Sequence, residues 1–294
     1  MRQKVLVIVG PTASGKSDLA VRLAKKFNGE VISADSRQVY KGLNIGSGKI
    51  TKKEMRGVPH HLLDVADPKK QFSGSEYRNF GEKALRDILS RNRQPIVVGG
   101  TGFYIDILSC VINFPDVAPN KELRKKLSEK SVSELLKMLA RKDPVRAKEV
   151  DPNNKLRIIR ALEIVEVLGK VPRMKAARSP YEFVYVGLKP DKEVLEKKIY
   201  DRLIKRMPGM LREAKRLHSQ GLTYKRMFEL GLEYRYLSLY LQNKISKQKM
   251  VDELYKEIKR YAKRQMTYFR RNKKIMWFKP EEYKKIEKYL KGKL

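Results

Sequence analysis

Eight residues, GPTASGKS from Gly10 to Ser17, constrain this chain more than any other stretch. They follow the apolar run VLVIV and precede DLAVRLAKKF, whose apolar residues recur at three- and four-residue spacing. The pattern reads as strand, glycine-rich turn and helix, and Gly10, Gly15, Lys16 and Ser17 fill the spacing of a phosphate-binding loop, with Pro11, Thr12, Ala13 and Ser14 between the glycines. Glycines let such a loop fold tightly, so that backbone N–H groups point inward beside the positive end of the following helix. Lys16 adds a point charge, and the Ser17 hydroxyl can ligate Mg²⁺. Amides recognise only oxygens, so the spacing alone leaves open whether the anion is part of a nucleotide.

The rest of the chain repeats the same alternation. KVLVIV, GEVISA, QPIVVGG, EFVYVGL and KKIMWF are short runs rich in β-branched or aromatic residues, separated by helical patterns. This predicts an α/β fold: a parallel sheet flanked by helices, of the kind found in P-loop NTPases, with ligands at the C-terminal ends of the strands. Residues 114–180 break the alternation. KELRKKLS, VSELLKMLA and NKLRIIRALEIVEVL carry helical periodicity, and Pro115, Pro119, Pro144 and Pro152 punctuate their joins. They are expected to form an inserted helical domain, leaving residues 1–113 and 181–294 as the α/β core with its C-terminal helices.

Candidate functional residues should then follow the strands. Asp35 is the first polar side chain after GEVISA, and Thr101 follows QPIVVGG in GGTGFY. A turn acid and a capping hydroxyl are the plain alternatives. The QPIVV strand lacks the terminal acid that an NTPase normally offers to Mg²⁺, although Asp35 could supply one. His60 and His61 are not read as metal ligands: adjacent side chains on an extended segment face opposite ways, and no cysteine cluster accompanies them. Ser73 and Glu76 form a capping pair that starts a helix. The lone Cys110, in IDILSCVI, is expected to be a buried thiol.

Charge indicates the partner. Sixty-seven Lys and Arg against 33 Asp and Glu give a formal net charge of +34, more than a small-molecule enzyme needs, which implies a polyanion. The excess has a focus: Lys256 to Lys274 holds nine basic residues and one acid, with Tyr261, Tyr268 and Phe269 interleaved. Basic groups can follow phosphates while aromatics stack on unpaired bases. No apolar run is long enough to span a bilayer, and the chain enters a strand almost at once, so a cytoplasmic protein is expected.

Together these motifs resemble the tRNA dimethylallyltransferases, also called tRNA isopentenyltransferases, of bacterial type. The resemblance rests on GPTASGKS, ISADSRQVYKGLNIG, PHHLLD, FSGSEYR, PIVVGGTGFYI, DPNNKLRIIRALEI and RYAKRQMTYFR, in that order. It implies that the loop holds the pyrophosphate of dimethylallyl diphosphate, with Mg²⁺, and that the acceptor is the adenosine at tRNA position 37, in the anticodon stem-loop. By the same resemblance Asp35 is the general base at the exocyclic N6, Thr101 lies near the scissile oxygen and Arg202 joins Lys16 on the pyrophosphate. Contacts with tRNA are implied for Asp35, Ser36, Arg37, Gln38, Thr101 and Leu123. They are also implied for the helix portion Leu156, Arg157, Ile158, Ile159 and Arg160, while Lys263, Arg264, Arg270 and Arg271 grip the RNA backbone. A monomer is expected.

The chain departs from the family pattern at SGKIT, after NIG, and at LGLEYRYLSLYL, which leaves the roles of Ser47 and Lys49 open. Two other activities share the loop: prenyl transfer to free adenine nucleotides, and a kinase or NTPase acting on RNA. The first would need neither the net charge nor the basic aromatic segment, and an assay of nucleotide hydrolysis separates the second.

Overall fold

The computed structural model describes residues 2–110, 115, 117–172 and 179–294. Two compact units divide the chain, one formed by Met1–Cys110 with Arg178–Leu294, the other by Val111–Ala177. Phe114, where the insertion is expected to begin, lies outside the described residues.

The larger unit is built on a six-stranded sheet. Its first half contains β1 (Lys4–Val9), α1 (Lys16–Lys26), β2 (Gly29–Ser33), α2 (Lys52–Met55), β3 (His60–His61), α3 (Gly74–Ser90), β4 (Gln94–Val98) and α4 (Gly102–Leu108). All pairings are parallel, in the order β3-β2-β4-β1-β5-β6. β1 is central, and every residue from Val5 to Val9 is inaccessible to solvent. A strand covered on both faces must be apolar throughout, which is why VLVIV does not alternate. One face of the sheet packs Leu6, Ile8, Val31 and Ile96 against Leu19, Ala20 and Leu23 of α1. The capping pair Ser73 and Glu76 does start α3: the Ser73 hydroxyl accepts from the Glu76 amide and the Glu76 carboxylate from the Ser73 amide. β3 is too short to leave a readable run, so five strands are legible where six exist. Cys110 is half-buried, less enclosed than its apolar neighbours suggest, and takes a positive φ of 60° just beyond α4.

The smaller unit consists of α5 (Lys121–Ser128), α6 (Val132–Lys142), α7 (Pro144–Glu149) and α8 (Lys155–Leu168). Leu127, Leu135, Leu139, Ile158, Ile159 and Leu162 form its own core. Buried Glu163 accepts from both ends of the Arg124 guanidinium, at 2.7 and 2.8 Å, and from the Asn120 amide at 2.9 Å. Burial would raise this carboxyl, but those partners hold it below the ordinary glutamate range.

The chain returns to the larger unit with β5 (Glu182–Leu188), α9 (Lys192–Ser219), α10 (Tyr224–Leu230), α11 (Leu232–Leu241), α12 (Lys247–Phe269), β6 (Met276–Phe278) and α13 (Tyr283–Lys291). Ile286 and Leu290 of α13 seal the α1 side of the sheet core.

Candidate active site

Three loops leave the C-terminal edge of the sheet side by side: 10–17 after β1, 34–38 after β2 and 99–101 after β4. Backbone hydrogen bonds tie them together. Gly99 N donates to Ile8 O at 3.3 Å, Ala34 N to Val98 O at 2.8 Å and Thr101 N to Ala34 O at 3.1 Å. A Cβ on Gly99 would stand 2.0 Å from the Ala34 carbonyl oxygen, so only glycine lets these loops pack this closely.

In the first loop Gly10, Ala13 and Gly15 take positive φ, and Gly15 caps α1 without any side-chain bond. The leading N–H groups of α1 therefore lack a side-chain acceptor, as an anion site requires. Lys16 Nζ donates to Pro11 O at 2.6 Å. Burial lowers the Lys16 pKa from 10.5 to about 8; the Asp35 carboxylate pulls it up, and the Arg202 guanidinium pushes it down. The exposed Ser17 hydroxyl lines the same cleft and makes no protein hydrogen bond among the described residues. Those residues contain no group of three or more His, Cys, Asp or Glu able to cage a metal. This donor set fits Mg²⁺ held chiefly by substrate phosphates, with Ser17 as a protein ligand.

The cleft has a volume of about 410 Å³ and is lined by the loop together with Asp35, Gln38, Gly48, Arg202, Tyr261 and Gln265. Asp35 Oδ1 accepts from Arg37 N at 2.8 Å and Gln38 N at 3.3 Å. One oxygen thus closes the turn, while Oδ2 has no protein hydrogen bond among the described residues. Thr101 Oγ1 accepts from Ser36 N at 3.1 Å and shares a hydrogen bond with Tyr261, whose hydroxyl burial pushes far above its usual range. Acid and hydroxyl are therefore neighbours across one peptide, as their positions after adjacent strands predict. Lys198, one helical turn before Arg202 on α9, also lines the cleft. Nothing in the sequence singles it out among many lysines.

Arg202 Nη2 donates to Gly48 O at 3.2 Å, and Arg206 Nη2 to Gly46 O at 2.9 Å. The segment they hold is anchored from beneath by Glu213, a buried carboxylate on α9. It accepts from the amides of Asn44, Ile45 and Gly46 at 2.7–2.9 Å and from the Tyr234 hydroxyl at 2.7 Å. Ser47 and Lys49 now acquire roles. The Ser47 hydroxyl bonds back to the Leu43 carbonyl, while Lys49 Nζ donates to Tyr40 O at 2.8 Å and Asp64 Oδ1 at 2.6 Å. Glu213 thus joins the amides of NIG, just ahead of the departing SGKIT, to Tyr234 of the departing LGLEYRYLSLYL.

His61 Nε2 lies 2.7 Å from the Glu30 carboxylate, and His60 Nδ1 lies 2.8 Å from Val58 O. Both rings have local hydrogen-bonding partners.

The basic helix α12 has two faces. Lys263, Arg264 and Arg271 line an open groove with Arg260, Thr267 and Tyr268, whereas Tyr261 and Gln265 reach the cleft. Arg270 is exposed at the helix end and does not line that groove. In the smaller unit the residues grouped by resemblance separate. Leu156 is 79% exposed and Arg157 is also exposed, but Ile158 and Ile159 are 0% and 4% exposed in that unit's core. As a correction to the expectation for this stretch, the helical period turns the Ile158 and Ile159 side chains away from any ligand. Arg160 is half-buried on Glu163 and the Val117 carbonyl. Leu123 packs, partly buried, against the same core.

A phosphate loop with its lysine and serine, an acid and a hydroxyl at its rim, and a basic groove on a helix that also lines the cleft define an α/β phosphate-loop enzyme built to work beside a polyanion. A family model described as IPP transferase matches residues 38–272, and one described as isopentenyl transferase matches residues 3–70. The chain is 39% identical to a tRNA dimethylallyltransferase of Thermoanaerobacter sp. (strain X514), with 100% of this chain and 99% of that protein covered. It is 37% identical to the tRNA dimethylallyltransferase of Halalkalibacterium halodurans, covering 100% and 98%. Among solved structures, the tRNA isopentenylpyrophosphate transferase of Bacillus halodurans superposes with a TM-score of 0.75 at 35% identity, covering 99% and 96% of the two chains. A eukaryotic dimethylallyltransferase acting on tRNA superposes with a TM-score of 0.79 at 28% identity, covering 91% of this chain and 70% of that one. The chain belongs to the IPP transferase family, the family of the tRNA dimethylallyltransferases.

Proposed function

We propose that this protein transfers the dimethylallyl group of dimethylallyl diphosphate to the exocyclic N6 of adenosine 37, beside the tRNA anticodon. The observation that carries the reading is the single cleft lined by Lys16, Ser17 and Arg202 with Asp35, beside which Thr101 bonds to Ser36, on a chain of this family.

The phosphate loop, Lys16 and Arg202 bind the diphosphate and stabilise the charge that grows on it as the allylic C–O bond breaks. N6 attacks the allylic carbon, the electron pair of the broken bond leaves with pyrophosphate, and the N6 proton passes to Asp35 Oδ2. Thr101 sits between Ser36 and Tyr261, where it orients the acceptor relative to the leaving oxygen. Mg²⁺ held by Ser17 and the diphosphate would neutralise phosphate charge. The adenine must leave its stack to reach the cleft, which costs least in an anticodon loop that is already single-stranded. Lys263, Arg264 and Arg271 follow the RNA backbone, and the exposed Leu156 and Arg157 contact tRNA from the smaller unit. The enzyme acts as a monomer in the cytoplasm, where its RNA substrate is; no helix of the described residues is long and apolar enough to cross a membrane.

Incubation with labelled dimethylallyl diphosphate, Mg²⁺ and either bulk tRNA or AMP tests the reading. Label is expected in tRNA adenosine, at the N6 position. Label in AMP alone, or release of phosphate from ATP with no prenyl transfer, would overturn it.

A further inference from the structure

The buried side chain of Gln265 joins the two loops that the proposed reaction brings together. Its Oε1 accepts from Thr12 N in the phosphate loop at 2.8 Å, and its Nε2 donates to Gly100 O, beside Thr101, at 2.9 Å. The side chain is 5% exposed. These two partners fix the amide orientation without ambiguity, because one can only donate and the other can only accept. They also explain the residue type: an amide is an uncharged side chain that accepts at one tip and donates at the other. A Cβ on Gly100 would stand 2.1 Å from Gln265 Nε2, so the backbone leaves this space for the amide.

We infer that Gln265 is a positioning residue that sets the spacing between the diphosphate loop and the Thr101 loop, and so between leaving group and acceptor. The inference rests on the proposed transfer reaction. Gln265 does so through backbone atoms and takes no part in bond making. It stands on α12, whose other face carries Lys263 and Arg264, with Arg271 just beyond the helix end, so the helix proposed to hold the RNA is bonded directly to the loop proposed to hold the diphosphate. A Thr12 amide committed to Gln265 is also withdrawn from the anion, which leaves the later amides of the loop and the start of α1 to bind it.

Two variants separate hydrogen bonding from packing. Gln265→Met keeps volume but strands a partly buried donor and a buried acceptor, and should weaken both pyrophosphate affinity and single-turnover transfer by on the order of tenfold. Gln265→Glu is informative because its protonated carboxyl can accept from Thr12 N and donate to Gly100 O, whereas the ionised form cannot donate. Burial raises the pKa of such a carboxyl. The affinity of the Glu variant for inorganic pyrophosphate, taken relative to the unchanged protein at each pH, should therefore recover as pH falls from about 8 to about 6. Binding is read by calorimetry and folding by melting temperature.

Near-normal binding and transfer in Gln265→Met overturn the inference, whatever the Glu variant does. A weakened Met variant with a flat pH ratio for the Glu variant also overturns it, since only packing would then matter. If Gln265→Met fails to fold, the pH ratio of Gln265→Glu decides alone. Absence of transfer by the unchanged protein is a different result: it defeats the proposed function, while the pyrophosphate ratios still report on the bridge.

Discussion

Lys16 Nζ donates to the carbonyl oxygen of Pro11 at 2.6 Å, so the loop's own backbone satisfies the ammonium that the diphosphate is proposed to meet. Burial has already lowered this group to a pKa of about 8. An anionic partner favours the charged form, so the sign follows directly. Below pH 8 the lysine is protonated and diphosphate binding is strongest; as pH rises through about 8 the free protein loses the proton and affinity falls, by up to about tenfold per pH unit. Calorimetric titration with pyrophosphate, for the unchanged protein and for Lys16→Met, should show this extra slope only in the former, because ionisation of the ligand is common to both. Folding has the opposite dependence. A lysine depressed by the fold binds fewer protons than in the unfolded chain, so stability rises with pH between about 8 and the unperturbed lysine value.

Asp35→Asn retains an oxygen to accept from Arg37 N and Gln38 N, so the turn should survive and the melting temperature should stay close to that of the parent. What is lost is the proton acceptor. Single-turnover transfer is expected to fall by about 10²- to 10⁴-fold, the usual contribution of a general base. Binding of tRNA should change far less, because phosphate contacts dominate it. Normal transfer by the folded variant would remove Asp35 from the chemistry and leave it a turn residue.

The parts of this site that follow strands are legible because a parallel sheet delivers its loops to one edge. Lys16, Asp35 and Thr101 follow β1, β2 and β4; Lys16 and Asp35 line the cleft, and Thr101 directly follows Gly99 and Gly100, which also line it. Glu213, Lys198 and Gln265 are different. They come from helices remote in sequence, α9 and α12, and nothing local marks one glutamate, lysine or glutamine as facing inward. Gln265 lies within RYAKRQMTYFR, where basic charge draws the eye to the opposite face of the same helix. Ile158 and Ile159 show the converse: contiguity along a motif groups five residues, while the period of 3.6 sends two of them into the smaller unit's core. β3 was unreadable for a simpler reason, since two residues carry no alternation.

The Glu213 anchor predicts a graded loss of stability. Tyr234→Phe removes one hydrogen bond to a buried carboxylate and should cost about 1.5–3 kcal/mol. Glu213→Ala strands the amides of Asn44, Ile45 and Gly46 together, so it should cost more. Urea denaturation should show the midpoints falling in that order, with little change in slope for Tyr234→Phe. Equal midpoints for the parent and Glu213→Ala would mean that the segment from Leu43 to Gly48 contributes nothing to the cooperative unit.

The groove on α12 makes a prediction about salt. Lys263 has no acidic partner among the described residues, and Arg264 reaches Glu257 only at 3.9 Å, while Arg260 is engaged by that same glutamate at 2.6 Å. Lys263, Arg264 and Arg271 are therefore the groove cations most available to phosphates. Each phosphate contact releases counterions worth about 0.7 in the slope of log affinity against log salt if the RNA is held as a single strand. Replacing all three by Gln should weaken tRNA binding and flatten that slope by up to about 2. Adding Arg270→Gln, which lies outside the groove lining, should change the slope less than any of the three. Transfer at saturating tRNA should stay near that of the parent, because these side chains do not line the cleft. Filter binding across a salt series, with the transfer rate measured on the same preparations, checks both parts. An unchanged slope would make the basic run an ordinary solvated face, and the RNA would then have to be held elsewhere.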